Sequence, residues 1–333
     1  MKLLILGGTV FLGRATAVHA LTAGHDVTCA ARGESGAAPA GVTWVGIDRD
    51  EPDGLAPLGD SEFDAVIDVT RRPSHARRAV EALADRTGHW TFVSTGSVYA
   101  DDATPGQRAD SAPVMAAAPV GVDDPDADPA AYGPCKVACE EVVRAAVGPR
   151  RSFICRAGLI VGPEDPSGRF AYWVERLARG GTVLAPGQPD DAVQFVDVRD
   201  LAGWLVHAAQ VGLSGVYDGI GAPMSRADLL DGVARGLGTE PTLTWVNQEF
   251  LTSHGVQPWS GERSLPMWLP LPEYAGFLTR DAGPALGAGL VTRDIAETAR
   301  DTLSWVRSTA TDRRRPGLTA DEEAELLAEF AGQ

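Results

Sequence analysis

The sequence has few cysteines and no pattern that would join them. Its 333 residues include four, Cys29, Cys135, Cys139 and Cys155, and none belongs to a Cys-x-x-Cys pair. Cys135 and Cys139 are four residues apart on a predicted helix, a poor arrangement for a disulfide framework. The six histidines also lack the spacing of metal ligands. We therefore expect reduced thiols that serve packing, and no metal site.

Long apolar runs are missing as well. No stretch approaches the roughly 20 apolar residues that are needed to cross a bilayer. The first residues do not have the layout of a signal peptide, because only four aliphatic residues separate Lys2 from Gly7. Such a short run is typical of a buried first strand. We expect a cytoplasmic protein with no membrane partner.

Basic clusters are scarce. Lysine and arginine together number 29 against 45 acidic residues, the formal net charge is −16, and the longest basic run is Arg313–Arg315. Nucleic-acid binding depends on clustered cations that release counterions from the phosphates. Nucleic acid is therefore not an expected partner. The acidic run Asp123–Asp128 is typical of a solvated loop.

The first half of the chain alternates short apolar runs with helical stretches, which is the pattern of a parallel sheet covered on both faces. Strands are predicted at 2–6, 25–31, 42–47, 64–69, 90–94 and 152–155, with helices at 12–23, at 74–85 and around Tyr132. A segment at 100–131, rich in Asp, Pro and Ala, is long enough to predict a functional loop.

The second half has another character. Helices are predicted at 169–178 and 201–209, a strand at 194–198, an irregular region at 240–290, a linker at 311–316, and a capping box over Thr319–Glu322 before a last helix at 324–330. The predicted fold is α/β, a Rossmann-type doubly wound parallel sheet with a smaller C-terminal α/β domain. Residues 1–163 plus about 191–220 are predicted to bind a dinucleotide, and 164–190 with 221–333 to bind the substrate.

A glycine-rich turn, Gly7–Gly13, follows the first strand. Glycines permit backbone angles closed to other residues and let a pyrophosphate approach, and the helix that follows offers free N–H groups to the phosphates. Val10 occupies the middle position of the usual glycine spacing, so the assignment rests on the strand–turn–helix context. The turn predicts a dinucleotide cofactor.

The end of the second strand indicates which cofactor is preferred. A carboxylate there would accept hydrogen bonds from the ribose of NAD, but the position is Ala31, followed by Arg32. An arginine can instead pair with a 2′-phosphate, which favours NADP(H) over NAD(H). Asp48, after the third strand, is positioned to accept from the adenine amino group.

Tyr132 and Lys136 lie one helical turn apart. A tyrosine pKa near ~10 is too high for efficient proton exchange at neutral pH, and a nearby ammonium would lower it while also holding the nicotinamide ribose. The segment Val93–Tyr99 supplies hydroxyl groups at a strand end, where one can fix a substrate oxygen. Together these residues predict hydride-transfer chemistry.

The chain resembles the extended short-chain dehydrogenase/reductase family, also called NAD-dependent epimerases/dehydratases, in an atypical branch marked by Gly-Gly-Thr-x-Phe-Leu-Gly. The likeness extends over the glycine turn, Asp48, Val93–Tyr99, Tyr132–Lys136, Arg156–Pro163 and Phe195–Ala202. The resemblance implies that Tyr132 is the general acid/base, Lys136 its partner and Thr95 the catalytic hydroxyl. It also suggests a homodimer. The residues predicted to contact the cofactor are Gly7, Gly8, Thr9, Phe11, Leu12, Gly13, Arg32, Asp48, Arg49, Val69, Thr70, Lys136 and Gly158.

The chain departs from relatives that act on nucleotide sugars. Leu159 occupies the place of their sugar-nucleotide Asn, and Val193 that of a diphosphate-binding Arg, although Arg169 or Arg293 could compensate. Gly96 and Ser97 replace the Asp-Glu pair of dehydratases. The residues proposed to contact the substrate are Ser97, Arg169, Tyr172, Gln194 and Trp259.

Three functions follow. The first is an NADP(H)-preferring oxidoreductase acting at a carbonyl or alcohol carbon of a small, non-nucleotide metabolite. The second is an epimerase, or less favourably a dehydratase, of a nucleotide sugar. The third is a non-catalytic binding protein on the same fold, which the retained Thr95, Tyr132 and Lys136 argue against.

Overall fold

A computed structural model describes residues 1–309 and 316–332. The basic run Arg313–Arg315 and most of the predicted linker at 311–316 lie outside these residues. The strands are β1 (Lys2–Leu6), β2 (Asp26–Ala31), β3 (Thr43–Gly46), β4 (Phe63–Asp68), β5 (Thr87–Thr95), β6 (Ser152–Ala157), β7 (Ile160–Val161), β8 (Thr182–Pro186), β9 (Ala192–Val193), β10 (Val196–Asp197), β11 (Gly215–Gly219), β12 (Met224–Ser225), β13 (Thr242–Val246), β14 (Gln257–Trp259) and β15 (Ser264–Pro266). The helices are α1 (Phe11–Thr22), α2 (Pro73–Leu83), α3 (Tyr132–Val147), α4 (Arg169–Ala178), α5 (Val198–Val211), α6 (Arg226–Leu237), α7 (Gln248–Ser253), α8 (Gly283–Gly287), α9 (Ile295–Ser308) and α10 (Ala320–Ala331).

The central sheet has seven parallel strands in the order β11-β6-β5-β4-β1-β2-β3. This confirms the Rossmann-type doubly wound fold. β1 lies between β4 and β2, so the chain moves to one side of β1 and then to the other. Ligands of such sheets bind beyond the carboxyl ends of the strands at this point of reversal. Both the glycine turn and the end of β5 lie at that edge.

Both faces of the sheet are covered, which explains why β1 is a continuous apolar run and not an alternating one. Leu3 to Leu6 are completely buried. Leu3 and Ile5 pack in a cluster with α1 and α5, while Leu4 and Leu6 pack in a second cluster with α2 and α3. The four cysteines are free and buried, as expected from their spacing.

A third hydrophobic cluster lies outside the sheet and includes Trp173, Trp268 and residues of α4, α6 and α9. The parallel pair β8–β13 borders it. The region 240–290 is less irregular than predicted, because it contains β13, α7, β14, β15 and α8. The predicted strand at 194–198 is shorter, since the Asp197 side chain accepts a hydrogen bond from Arg199 N and so begins α5 at Val198.

The last helix is attached to this third cluster by a buried ion pair. The predicted capping box is present at Thr319 and Glu322, so α10 begins at Ala320, four residues earlier than predicted. One turn into the helix, Glu323 accepts from Arg176 Nε at 2.5 Å and from Leu184 N at 2.9 Å. Both charged side chains are less than a tenth exposed.

The acidic run is a loop with solvent-exposed carboxylates, as expected, and it also makes contacts with a neighbouring segment. Asp126 forms a bidentate ion pair with Arg71, with distances of 3.0 and 2.8 Å, and Asp124 pairs with Arg72 at 3.1 Å. Asp123 accepts from Ser74 N and Oγ. The run is therefore a surface loop that is anchored to the β4–α2 connection. No helix among the described residues is long and apolar enough to cross a membrane.

We predict that Glu323→Gln destabilises the protein by about 3 kcal/mol or more, because the Arg176 guanidinium would remain buried without its counter-charge. The measurement is the free energy of unfolding in urea. Glu325→Gln, on the exposed side of the same helix, is the matched control and should leave that free energy within about 0.5 kcal/mol of the original. Equal effects of the two substitutions would contradict a structural role for the buried pair.

Candidate active site

The glycine turn is built for close approach of the backbone. Gly7 has φ of +97°, and a Cβ on Gly13 would lie 2.2 Å from the Gly7 carbonyl oxygen. α1 then begins without a side-chain cap, because Val10 cannot accept a hydrogen bond, and no acidic residue lies in its first turn. The first N–H groups of the helix are therefore available to an anion.

A groove of about 300 Å³ starts at this turn. It runs past the ends of β2 and β4, and the sequence-predicted residues that line it are Gly7, Thr9, Arg32, Arg49 and Val69. Arg32 is half exposed and lies 3.6 Å from Glu34 and 3.5 Å from Asp50. Arg49 donates to the buried Asp68 at 2.9 Å. The groove thus presents several guanidinium groups at the end that the sequence assigns to the adenosine.

The remaining predicted cofactor residues take other positions. Gly8, Leu12 and Gly13 are buried in the turn and in α1. Asp48 does not line the groove, and its carboxylate accepts from Asp50 N at 2.9 Å. Thr70 is buried, and its carbonyl accepts a hydrogen bond from Lys136 Nζ at 2.6 Å.

The predicted catalytic residues Thr95 and Tyr132 do meet. Thr95 is the last residue of β5, and Tyr132 is the first of α3. Both line a second cavity of about 410 Å³, together with Ser97, Phe11 and other residues of the strand ends. Gly133 allows this meeting, because a Cβ there would lie 2.3 Å from the Ser97 carbonyl oxygen and would push α3 away.

Lys136 lies one turn along α3 but faces inward. Only 2% of it is exposed, its Nζ donates to the carbonyl oxygens of Thr70 and Val93, and it lies 4.3 Å from the centre of the Phe92 ring. Burial lowers its pKa to about 8. Two of its three N–H donors are therefore used on strand ends, and one remains.

The expected lowering of the Tyr132 pKa by Lys136 is not found. Burial raises the pKa of the Tyr132 hydroxyl, and the Thr95 hydroxyl and the positive charge of Arg71 oppose that rise without reversing it. Arg71 was not among the predicted site residues. It lines the groove and is followed by Arg72, and its position in the short segment after the fourth strand was the signal in the sequence.

The cavity also contains three residues proposed for the substrate, Ser97, Arg169 and Trp259, and the predicted cofactor residue Gly158. The structure does not bring the other two substrate candidates there. Tyr172 is buried in the third cluster, edge-on to Trp173 at 5.1 Å. The amide of Gln194 is completely buried and bonds to the backbone of Gly221 and Arg280. Both are structural, since their polar groups face the interior.

A buried ion pair behind the cavity fixes α3 against the sheet. Arg156 on β6 donates to both oxygens of Glu140 on α3, at 3.1 and 2.8 Å, and Ser94 on β5 donates to the same carboxylate. Glu140 and Arg156 are 3% and 5% exposed. One carboxylate thereby connects the tyrosine-bearing helix to two neighbouring strands.

Comparison with protein families gives one match: the model of the NAD dependent epimerase/dehydratase family covers residues 3–218. A curated relative, dTDP-6-deoxy-L-talose 4-dehydrogenase (NAD(P)(+)) of Kitasatospora kifunensis, is 27% identical over 79% of this chain and 92% of its own length.

Solved structures with the same fold include the Bordetella bronchiseptica enzyme WbmH in complex with NAD+, with a TM-score of 0.64 and 18% identity over 93% of this chain and 99% of that chain. Another is Thermus thermophilus UDP-glucose 4-epimerase in complex with NAD, with a TM-score of 0.61 and 19% identity over 93% and 100% of the two chains. At these identities the likeness shows the fold.

We predict that Arg71→Gln raises the pKa of Tyr132 further, because it removes a positive charge that favours the phenolate. The measurement is an NMR pH titration with isotope-labelled tyrosine, in which Tyr132→Phe assigns the resonance. Arg72→Gln is the matched control, since Arg72 pairs with Asp50 and Asp124 and should leave the titration unchanged. A titration that moves to lower pH in Arg71→Gln would contradict the assignment.

Proposed function

Since this chain belongs to the NAD-dependent epimerase/dehydratase family, we propose that it is an NAD(P)-dependent oxidoreductase that moves hydride to or from a carbonyl or alcohol carbon of a small metabolite, with Tyr132 as the acid/base. The observation that carries the proposal is the meeting of Thr95 and Tyr132 in one cavity. Two hydroxyl groups from separate elements there can address the same substrate oxygen.

The residues present fit a nicotinamide dinucleotide. The groove and the cavity lie on either side of the glycine turn, with Gly7 in the lining of the first and Phe11 in that of the second. When bound, such a cofactor supplies the hydride or accepts it. The turn and the start of α1 would hold its pyrophosphate, and the remaining N–H donor of Lys136 would hold a ribose hydroxyl.

The proton is handled by Tyr132. A hydroxyl whose pKa is raised by burial keeps its proton at neutral pH, which suits a donor to the oxygen of a ketone under reduction. Thr95 would donate a second hydrogen bond to that oxygen and polarise the carbonyl. In the opposite direction Tyr132 would take the proton from the alcohol.

Preference for NADP(H) is the finer part of the proposal. Arg32, Arg49 and Arg71 line the groove, against one acidic residue, Glu34, that Arg32 already neutralises. A 2′-phosphate would displace Glu34 and Asp50 as the partner of Arg32, because a doubly charged phosphate is the stronger acceptor.

The second candidate is a nucleotide-sugar epimerase. It is favoured by the relatives, one of which is a dTDP-sugar dehydrogenase by name and another a UDP-glucose epimerase. Leu159 lines the cavity where such relatives place an Asn, and Val193 is completely buried on β9, where they place an Arg. These two positions favour the small-metabolite reductase.

The cofactor content of the purified protein separates the two candidates. A reductase exchanges its cofactor at every turnover, so we expect less than stoichiometric nucleotide after denaturation and release. An epimerase regenerates its cofactor in place, so one tightly held NAD per chain would contradict the reductase.

We predict that Tyr132→Phe lowers NADPH-dependent reduction of ketones by about 10²–10⁴-fold, because it removes the hydroxyl to which we assign delivery of the proton. NADPH affinity should be retained. The assay is a screen of ketones with the purified protein, and Tyr217→Phe, on the edge strand β11 and outside the cavity, is the matched control. Full turnover by Tyr132→Phe would contradict the role of this tyrosine as the acid/base.

We predict that Arg32→Gln weakens NADPH binding by about tenfold or more and leaves NADH binding nearly unchanged, since only the 2′-phosphate makes a charge-assisted bond to this side chain. Fluorescence titrations of the two reduced cofactors measure the effect. Arg235→Gln, at an exposed ion pair with Asp294, is the control. Equal affinity of the unsubstituted protein for NADH and NADPH would contradict the NADP(H) preference.

A further inference from the structure

One charged group in the cavity forms no ion pair and has a buried N–H donor without an acceptor. Arg169 begins α4, and its guanidinium lies 4.8 Å from the centre of the Trp259 ring. Its Nε is buried and makes no hydrogen bond, and the nearby carboxylate of Asp165 forms no ion pair with it. The residue as a whole is half-buried. A buried N–H donor without an acceptor costs free energy, and such a donor in a cavity points to a ligand that would accept from it or from its neighbours on the same group.

The carboxylate that shares the cavity acts on this charge through space but forms no ion pair with it. Asp165 is buried, and its two oxygens accept from Ser167 N at 2.8 Å and from Ser167 Oγ at 2.9 Å. Both oxygens are thus held within their own turn, beyond salt-bridge distance of Arg169. Among the described residues that line the cavity, Arg169 is the one cation.

Trp259 gives the guanidinium a rigid support. Its φ is +68°, an uncommon conformation for a bulky residue, and its N–H donates to the Trp268 carbonyl at 3.0 Å. The Trp259 ring also packs perpendicular to Phe277, with 5.4 Å between the ring centres. Backbone strain of this kind persists where the surroundings enforce it and is concentrated at ligand sites. The stacked pair leaves the edge of the guanidinium for hydrogen bonding.

We propose that Arg169, supported by Trp259, is an anion subsite and that the substrate is a hydroxy or keto acid whose carboxylate binds there while its alcohol or ketone oxygen meets Tyr132. The claim that the alcohol or ketone oxygen meets Tyr132 rests on the proposed function; the anion subsite does not. A planar guanidinium binds a carboxylate through two parallel hydrogen bonds. A single cation in a cavity of about 410 Å³ matches one carboxylate better than the two charges and the base of a nucleoside diphosphate.

The test reports on Trp259 directly. The protein is labelled with fluorotryptophan, the Trp259 resonance is assigned by Trp259→Phe, and the spectrum is followed during titration with malonate, inorganic diphosphate or UDP, with and without NADPH. Arg169→Met removes the charge and keeps most of the length, and Arg169→Lys keeps the charge without the planar fork. Arg179→Met, exposed at the other end of α4, is the matched control.

Malonate is expected to shift the Trp259 resonance saturably, with binding about tenfold or more weaker in Arg169→Met, intermediate in Arg169→Lys and unchanged in Arg179→Met. No saturable shift, or one that persists in Arg169→Met, would overturn the anion subsite. UDP binding at least tenfold tighter than malonate and inorganic diphosphate would support the subsite but overturn the carboxylic acid in favour of a nucleotide.

The same samples separate this proposal from the proposed function. Tyr132→Phe should bind malonate like the unsubstituted protein while it loses turnover. If turnover survives in Tyr132→Phe and malonate still binds, the function fails and the subsite stands. If neutral ketones are reduced as well as keto acids and Arg169→Met does not change their ratio, the subsite fails and the function stands.

Discussion

The site depends on how closely α3 can lie against the ends of two strands. The Glu140 carboxylate is shared by Arg156 on β6 and Ser94 on β5, and all three groups are almost fully buried. The loss of any one partner would leave a charge or a hydroxyl group without compensation in the interior, which is costly. Gly133 completes the arrangement by leaving room for the Ser97 carbonyl. The position of Tyr132 is therefore supported by a buried ion pair whose members lie outside the lining of the cavity.

The site is lined by positive side chains although the molecule as a whole is acidic. The chain carries a net charge of −16, yet the groove is lined by three arginines, and the cavity contains one arginine that forms no ion pair. The acids that compensate are placed behind or beside the arginines. Asp68 holds Arg49, Asp50 holds Arg32 and Arg72, and Asp126 holds Arg71. Positive charge is thus concentrated on the surface that an anionic cofactor would face, while the acidic residues hold the arginine side chains in position.

Much of this could be predicted from the sequence, because the signals are local. An apolar run before a glycine turn defines β1 and α1, and the spacing of Tyr132 and Lys136 requires only that they share a helix. The side-chain positions that the structure does not reproduce are those that depend on tertiary packing. Tyr172 and Gln194 have the residue types of a binding site, but α4 turns the first toward the third cluster and backbone groups of distant segments surround the second. Lys136 was expected beside the Tyr132 hydroxyl, whereas its ammonium donates inward to the carbonyl oxygens of Thr70, after β4, and of Val93 on β5.

β11 has a further consequence for the integrity of the chain. This strand closes the edge of the central sheet beside β6, but it comes from residues 215–219, after the chain has already supplied α4 and β8 to the third cluster. The two bodies of the protein are therefore interwoven and cannot be separated by a single cut. A fragment that ended at residue 163 would retain the glycine turn, Thr95 and Tyr132, but the backbone N–H and C=O groups on the side of β6 that faces β11 would be left without partners. An unprotected edge of this kind pairs with other chains, so such a fragment would aggregate before it could bind a cofactor.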